Sequence, residues 1–199
     1  ITPPPDLFPI YNAGYTVAEV IYDTSLKKMR QASIKYLEDF DPDQANGVGM
    51  VFAGEGPAME LCSPKNMRWA GMPGDIIDKN SLQQYIEFPL LLDDEFEEFF
   101  SDRTGWSLKK ALPRTSNLLE PFADFQLGTV EMGARLISSQ FSTPQFKEMI
   151  KKLWAIDDFY KAYQEKVNKI NQEIEEMGYP STMGGMAGVP FDSYSDFYR

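Results

Sequence analysis

Histidine is absent from the 199 residues, and cysteine occurs once, at Cys62. The first absence excludes imidazole acid–base catalysis, Ser-His-Asp triads and histidine-ligated metals within this stretch. The second excludes an internal disulfide framework and any thiolate cluster, and makes a reducing, cytoplasmic setting the default expectation. Basic residues are scarce as well: 19 stand against 30 acidic ones, for a net charge of −11. Such a chain repels phosphate backbones and anionic lipids, so neither nucleic acid nor a membrane surface is an expected partner. No run reaches the roughly 18 apolar residues of a membrane span, and no signal-peptide pattern opens the chain. A start without Met and an end on Arg199 lead to the expectation of a piece of a longer protein.

What is present suits a folded domain. Hydrophobic residues make up 43% and aromatics 14%, ample for a core. Ile1 to Pro9 is proline-rich, and Phe8–Tyr11 is a short apolar run expected as a buried first strand, closed by a turn at Asn12-Ala13-Gly14. Thr16-Val17-Ala18-Glu19 has the form of a capping box, and helical spacing follows through Val20, Ile21, Met29, Ile34, Leu37 and Phe40 until Pro42. Residues 43–56, with four glycines around Val48, Met50, Val51 and Phe52, predict a second strand and a loop, followed by a brief helix near Ala58–Leu61. Further on, 64–80 is expected as a loop, Tyr85–Phe88 as a strand, a helix starts at Asp93, and short helices cover 105–112 and 116–126.

The longest helix is the plainest feature. Thr143 caps it, Pro144 takes its first position, and Gly178 with Pro180 ends it. Met149, Leu153, Ile156, Tyr160, Tyr163, Val167, Ile170, Ile174 and Met177 recur in steps of four and three, an a/d seam of about four heptads. A helix packing on its own fold is the first reading of that seam, and a homodimer or assembly interface the second.

Several short stretches carry a resemblance. Gly185-Met186-Ala187-Gly188-Val189-Pro190-Phe191 is similar to a G-F-A-G-A-P-W stretch, Pro9 to Tyr15 to a first strand and R-Q-A-G-R loop, and Phe40-Asp41-Pro42-Asp43 to an F-D-x-D entry. All three belong to the uroporphyrinogen decarboxylase superfamily. Similar wording at Ala13–Val17, Tyr36–Phe40, Leu112–Arg114, Leu119–Pro121 and Pro190–Asp192 resembles a divergent branch found in anaerobes. The resemblance implies an α/β fold, the N-terminal half of one (β/α)8 TIM barrel over residues 1–199 with a long inserted helix, and sites at the C-terminal strand ends. Phe8–Tyr11, a strand within 44–52 and one near 182–186 would then lie parallel.

The decarboxylase residues implied by the resemblance are missing. Tyr11 and Tyr15 stand where arginines hold substrate carboxylates, Met50 near the aspartate that binds pyrrole N–H groups, and Asp196 where a tyrosine is required. A phenol does not replace a guanidinium opposite a polycarboxylate. The expected activity is therefore that of the superfamily's corrinoid-dependent methyltransferases, acting on a small methylated substrate or on a thiol or tetrahydrofolate acceptor. Uroporphyrinogen decarboxylation is the alternative, and a non-enzymatic assembly module built on the heptad helix the second. The corrinoid is expected on a partner protein, no cofactor is expected in this segment, and any zinc would be held by a C-terminal half. Asn12, Tyr15, Glu55, Gly185, Gly188 and Asp196 are the expected substrate-binding residues, with Glu60 and Asp192 nearby as further polar groups; for the carboxylates a solvated loop or a helix cap is the plainer role.

Overall fold

The computed structural model describes residues 7–43, 45, 51–74 and 76–179. These residues are mainly α-helical, and the sheet among them is one antiparallel pair, β1 (Met67–Arg68) with β2 (Gln84–Tyr85), registered Met67 to Tyr85 and Arg68 to Gln84. The half-barrel expectation is thereby overturned. Phe8–Tyr11 is not a strand but lies in α1 (Phe8–Asn12), with Pro9 in the first turn. There the fixed φ of proline suits the helix and its missing N–H is no loss. Two-residue strands cannot supply the long apolar runs of a parallel barrel. The strand expected near 182–186 lies outside the described residues, as does most of the one within 44–52.

The chain divides into two compact units, the first formed within Ile1–Glu60, Met67–Tyr85 and Asp158–Ala187, the second within Leu61–Asn66, Ile86–Asp157 and Gly188–Arg199. In the first, α2 (Val17–Ile21) opens with the expected capping box: Glu19 N donates to Thr16 Oγ1 at 3.2 Å and Thr16 N to Glu19 Oε2 at 2.9 Å. The helix expected to run on to Phe40 is broken. Asp23 accepts from Ser25 N and Lys28 N, Leu26 takes a left-handed conformation, and α3 (Lys27–Phe40) starts afresh. Side-chain capping by Asp competes with helix continuation, which is how the Asp23-Thr24-Ser25 stretch interrupts the apolar period. Ile10, Val17, Val20, Ile21, Met29 and Leu37 form the core of this unit with Tyr163, Val167, Ile170 and Ile174 of α9 (Pro144–Glu176). Arg30 of α3 forms a two-pronged ion pair with Glu173 of α9, its Nε at 2.7 Å.

α9 itself follows the sequence expectation, from Thr143, whose Oγ1 accepts from Phe146 N, to Gly178 at φ 98°. In the second unit, α5 (Phe96–Ser101) leads into α6 (Arg103–Trp106), a wide π turn over Ser107–Ala111, and α7 (Leu112–Thr115). Trp106 is fully buried with Leu91 and Ala111. Glu95, 5% exposed, accepts from both Arg114 nitrogens at 2.6 and 2.5 Å and from Trp106 Nε1 at 3.2 Å. That bidentate pair holds its carboxyl well below the ordinary glutamate range despite burial. A second cluster joins Leu118, Phe125, Phe146 and Met149, its phenylalanines meeting edge to face near α8 (Gly133–Phe141), a helix the sequence periodicity did not announce.

Candidate functional site: a half-buried carboxylate among tyrosines

Glu55 stands at the entrance to α4 (Gly56–Cys62), on a loop with unusual backbone. Phe52 is left-handed at φ 53° and Gly54 at φ 76°. Gly54 N donates to Val20 O at 2.9 Å, and Glu55 N to Phe52 O at 2.9 Å. A Cβ on Gly54 would come within 2.6 Å of Leu26 Cδ2 and 3.1 Å of Asp23 O, so the loop lies directly on the α2–α3 turn. Left-handed conformations at non-glycine residues cost of order 1–3 kcal/mol and persist where surrounding structure fixes them. Here they fix the position of Glu55.

The carboxylate meets α9. Tyr160 Oη donates to Glu55 Oε2 at 2.8 Å. Tyr163, one helical turn further on, is 9% exposed, and its hydroxyl is buried without a hydrogen-bond partner among the described residues. It lies beside Glu55, close enough for carboxyl and hydroxyl to perturb each other, although the contact is too poorly aligned for a regular hydrogen bond. Phe159 stacks on Tyr163 at 5.9 Å and meets Tyr160 edge-on at 5.4 Å, so the two tyrosines beside Glu55 are themselves packed on a third ring. Burial pushes the Glu55 carboxyl above the ordinary glutamate value, outweighing the opposing influence of Tyr160 and Tyr163. Burial, then the neighbouring Glu55 charge, pushes the Tyr163 hydroxyl upward too. Glu55 takes part in no ion pair among the described residues. A carboxyl whose proton is held more tightly than usual, beside two tyrosines, is suited to acid–base work or to hydrogen bonding.

A second polar chain ends on Glu60, within α4. Trp69 Nε1 donates to Tyr22 Oη at 3.2 Å, and Tyr22 Oη donates to Glu60 Oε1 at 2.7 Å. The Tyr22 ring is clamped: a Cβ on Gly56 or on Gly71 would come within 3.0 Å of it. Burial and the Glu60 hydrogen bond push this phenol up to about 12.

Of the residues expected at a site, Glu55 is in such a place. Asn12 Nδ2 instead donates to Asp39 Oδ2 at 2.8 Å, and Tyr15 Oη donates to Gln31 Oε1 at 2.5 Å, tying both to α3. Glu60 serves Tyr22. Gly185, Gly188, Asp192 and Asp196 lie outside the described residues, as does Met50. Tyr160 and Tyr163 escaped notice because they occupy apolar seam positions; the signal was two phenols, three residues apart, in a row otherwise of Leu, Ile, Val and Met.

The fold and site together define a helical chain bearing a carboxyl–tyrosine cluster. Comparison adds no family: no protein-family model, no curated protein and no solved structure matches the chain. Among the described residues no three His, Cys, Asp or Glu side chains are grouped to hold a metal ion, and one cysteine without histidine does not fit a zinc centre. No helix among them is long and apolar enough to cross a membrane.

Proposed function

We propose that the chain is part of a cytoplasmic enzyme that takes the methyl group from a small methylated substrate and passes it to a corrinoid carried by a partner protein. Two things support the reading: the motif resemblance to the methyltransferase-like branch, although the barrel it implied is not seen among the described residues, and the Glu55 cluster. The observation that carries the reading is the half-buried, unpaired Glu55 carboxyl facing Tyr160 and Tyr163. When a methyl–oxygen bond breaks by transfer of the methyl carbon, the electron pair stays on the oxygen. A protonated Glu55 in reach gives that oxygen its proton and becomes the carboxylate, which the Tyr160 hydroxyl already stabilises. Proton delivery of this kind contributes about 10²–10⁴-fold in rate.

Porphyrinogen decarboxylation finds less support. Tyr11 Oη is committed to Asn80 O at 2.6 Å and Tyr15 to Gln31, so neither phenol is free to replace an arginine clamp. Assembly through the heptad seam is likewise disfavoured, because Tyr163, Val167, Ile170 and Ile174 are spent in the chain's own core. The test is to incubate the protein with reduced cobalamin and a panel of methyl ethers, methylamines and methyl thioethers, following the cobalamin spectrum. Methyl ether-dependent methylation of the cobalamin supports the reading. No methylation with any of the panel, beside coproporphyrinogen formation from uroporphyrinogen, overturns it.

A further inference from the structure

The second unit leaves two large aromatic side chains in solvent, Trp154 of α9 at 70% exposure and Phe100 of α5 at 69%. Aromatic rings held in water are the usual anchors of protein–protein contacts, where burial removes their apolar surface from solvent. The charges around the two rings are opposite in sign. Lys147, Lys151 and Trp154 stand at i, i+4 and i+7 and so share one face of α9. Lys152, beside them, reaches Glu148 at 3.9 Å, and Asp157 bounds the face one turn later. Phe100 stands three residues after Glu97 on α5, a helix with no fully buried residue, and Asp93 and Asp94 open the short turn before it. The cations nearest this acidic face are engaged within the unit: Lys110 holds Glu98 at 2.6 Å, and Arg103 lies over the Phe99 ring. Lys147 and Lys151 on one face, and Asp93, Asp94 and Glu97 on the other, are exposed and take part in no ion pair among the described residues.

The two faces complement each other in charge, and each offers one ring. Nucleic acid or an anionic lipid surface would meet the lysines but be repelled by a chain of net charge −11, and neither would engage the acidic Phe100 face. A second copy of the chain supplies the counterpart of both faces at once. We infer that the chain associates with itself, the Lys147–Lys151–Trp154 face of one copy docking on the Asp93–Glu97–Phe100 face of another. Different faces meet, so the contact is heterologous. It leaves the buried seam of α9 in its own core and is independent of methyl transfer. The rings anchor the contact, and the charges set its pairing and its salt dependence.

Sedimentation velocity of the intact chain, run over about a hundredfold range of concentration, reads the association. The sedimentation coefficient is expected to rise with concentration in low salt. Near 0.5 M salt the association is expected to be about tenfold weaker or more, because exposed charges are then screened. Trp154→Ala is expected to weaken it about tenfold or more as well. Two charge-reversed proteins decide the pairing, Lys147→Glu/Lys151→Glu and Asp93→Lys/Glu97→Lys. Each alone is expected to stay monomeric, because like charges then meet. Their mixture is expected to associate again, because opposite charges meet once more, and that recovery also shows both to be folded. A wild-type chain monomeric across the whole range would overturn the inference. So would unchanged association in Trp154→Ala, self-association that survives in either charge-reversed protein, or a mixture that stays monomeric while both keep the wild-type circular dichroism.

Discussion

The hydroxyl of Tyr160 donates to Glu55 Oε2 at 2.8 Å across 105 positions of sequence, and this one bond ties the loop before α4 to the long helix α9. Everything attributed to the site depends on the Glu55 carboxyl being held there.

Gly54→Ala tests the loop that holds it. The substitution places a Cβ within 2.6 Å of Leu26 Cδ2 at a left-handed φ of 76°. It is expected to destabilise by about 1–3 kcal/mol through backbone strain, read from the midpoint of urea unfolding. Adding Leu26→Ala relieves the clash but not the φ, so the double variant is expected to stay less stable than Leu26→Ala alone. Equal stability of those two would show that the loop adapts without strain.

Glu55 also makes stability depend on pH. Burial raises its folded-state value above the ordinary 4.5, so the native state holds the proton more tightly than the unfolded chain. That contribution is fully present below 4.5 and is lost as pH rises through the raised value. Glu55→Gln cannot lose a proton, and its stability relative to the wild type is expected to improve as pH climbs through that window. Parallel pH–stability curves for the two proteins would contradict the assignment.

In the second unit the sign is opposite. Glu95 is held below its ordinary value by Arg114, so its contribution is present above 4.5 and is lost as pH falls through the depressed value. Glu95→Gln leaves the half-buried Arg114 guanidinium without its bidentate partner. The expected loss is about 3 kcal/mol, the usual cost of removing one member of a buried pair, measured by chemical denaturation at neutral pH. A loss within a few tenths of a kcal/mol would make Glu95 an ordinary surface acid.

Tyr163→Phe has an expected sign that ordinary core polar residues do not share. Deleting an unsatisfied buried hydroxyl is expected to leave stability unchanged or to raise it by about 1 kcal/mol. A melting temperature lower by several degrees would reveal a hydrogen bond that holds the fold.

The sequence made some of this legible, for local reasons. Thr16 with Glu19, and Thr143-Pro144 with Gly178, are signals complete within a few residues, and the helix starts at Val17 and Pro144 and the stop at Gly178 lie where they are expected. Phe8–Tyr11 departs from the expected strand because a four-residue apolar run has no period of its own; Pro9 in the first turn and packing on α3 favour helix. The break at Asp23–Leu26 turns on one carboxylate capping a new helix, which apolar spacing across it does not reveal. The sequence marks Glu55 as a loop carboxylate, but its partners come from α9. Pattern reading counted Tyr160 and Tyr163 as seam residues, and only tertiary packing turns their hydroxyls toward a carboxyl. The barrel was inferred from short resemblances rather than from strand signals, and the described residues supply no parallel strands to build it.

The most direct test of the account is the pH–rate profile of methyl transfer from a methyl ether to reduced cobalamin, for the wild type and for Glu55→Gln. If Glu55 gives the proton, the wild-type rate falls as pH rises through its raised value, and Glu55→Gln loses about 10²-fold or more and shows no such limb. A Glu55→Gln protein that keeps both the rate and the pH limb of the wild type would contradict the role assigned to Glu55.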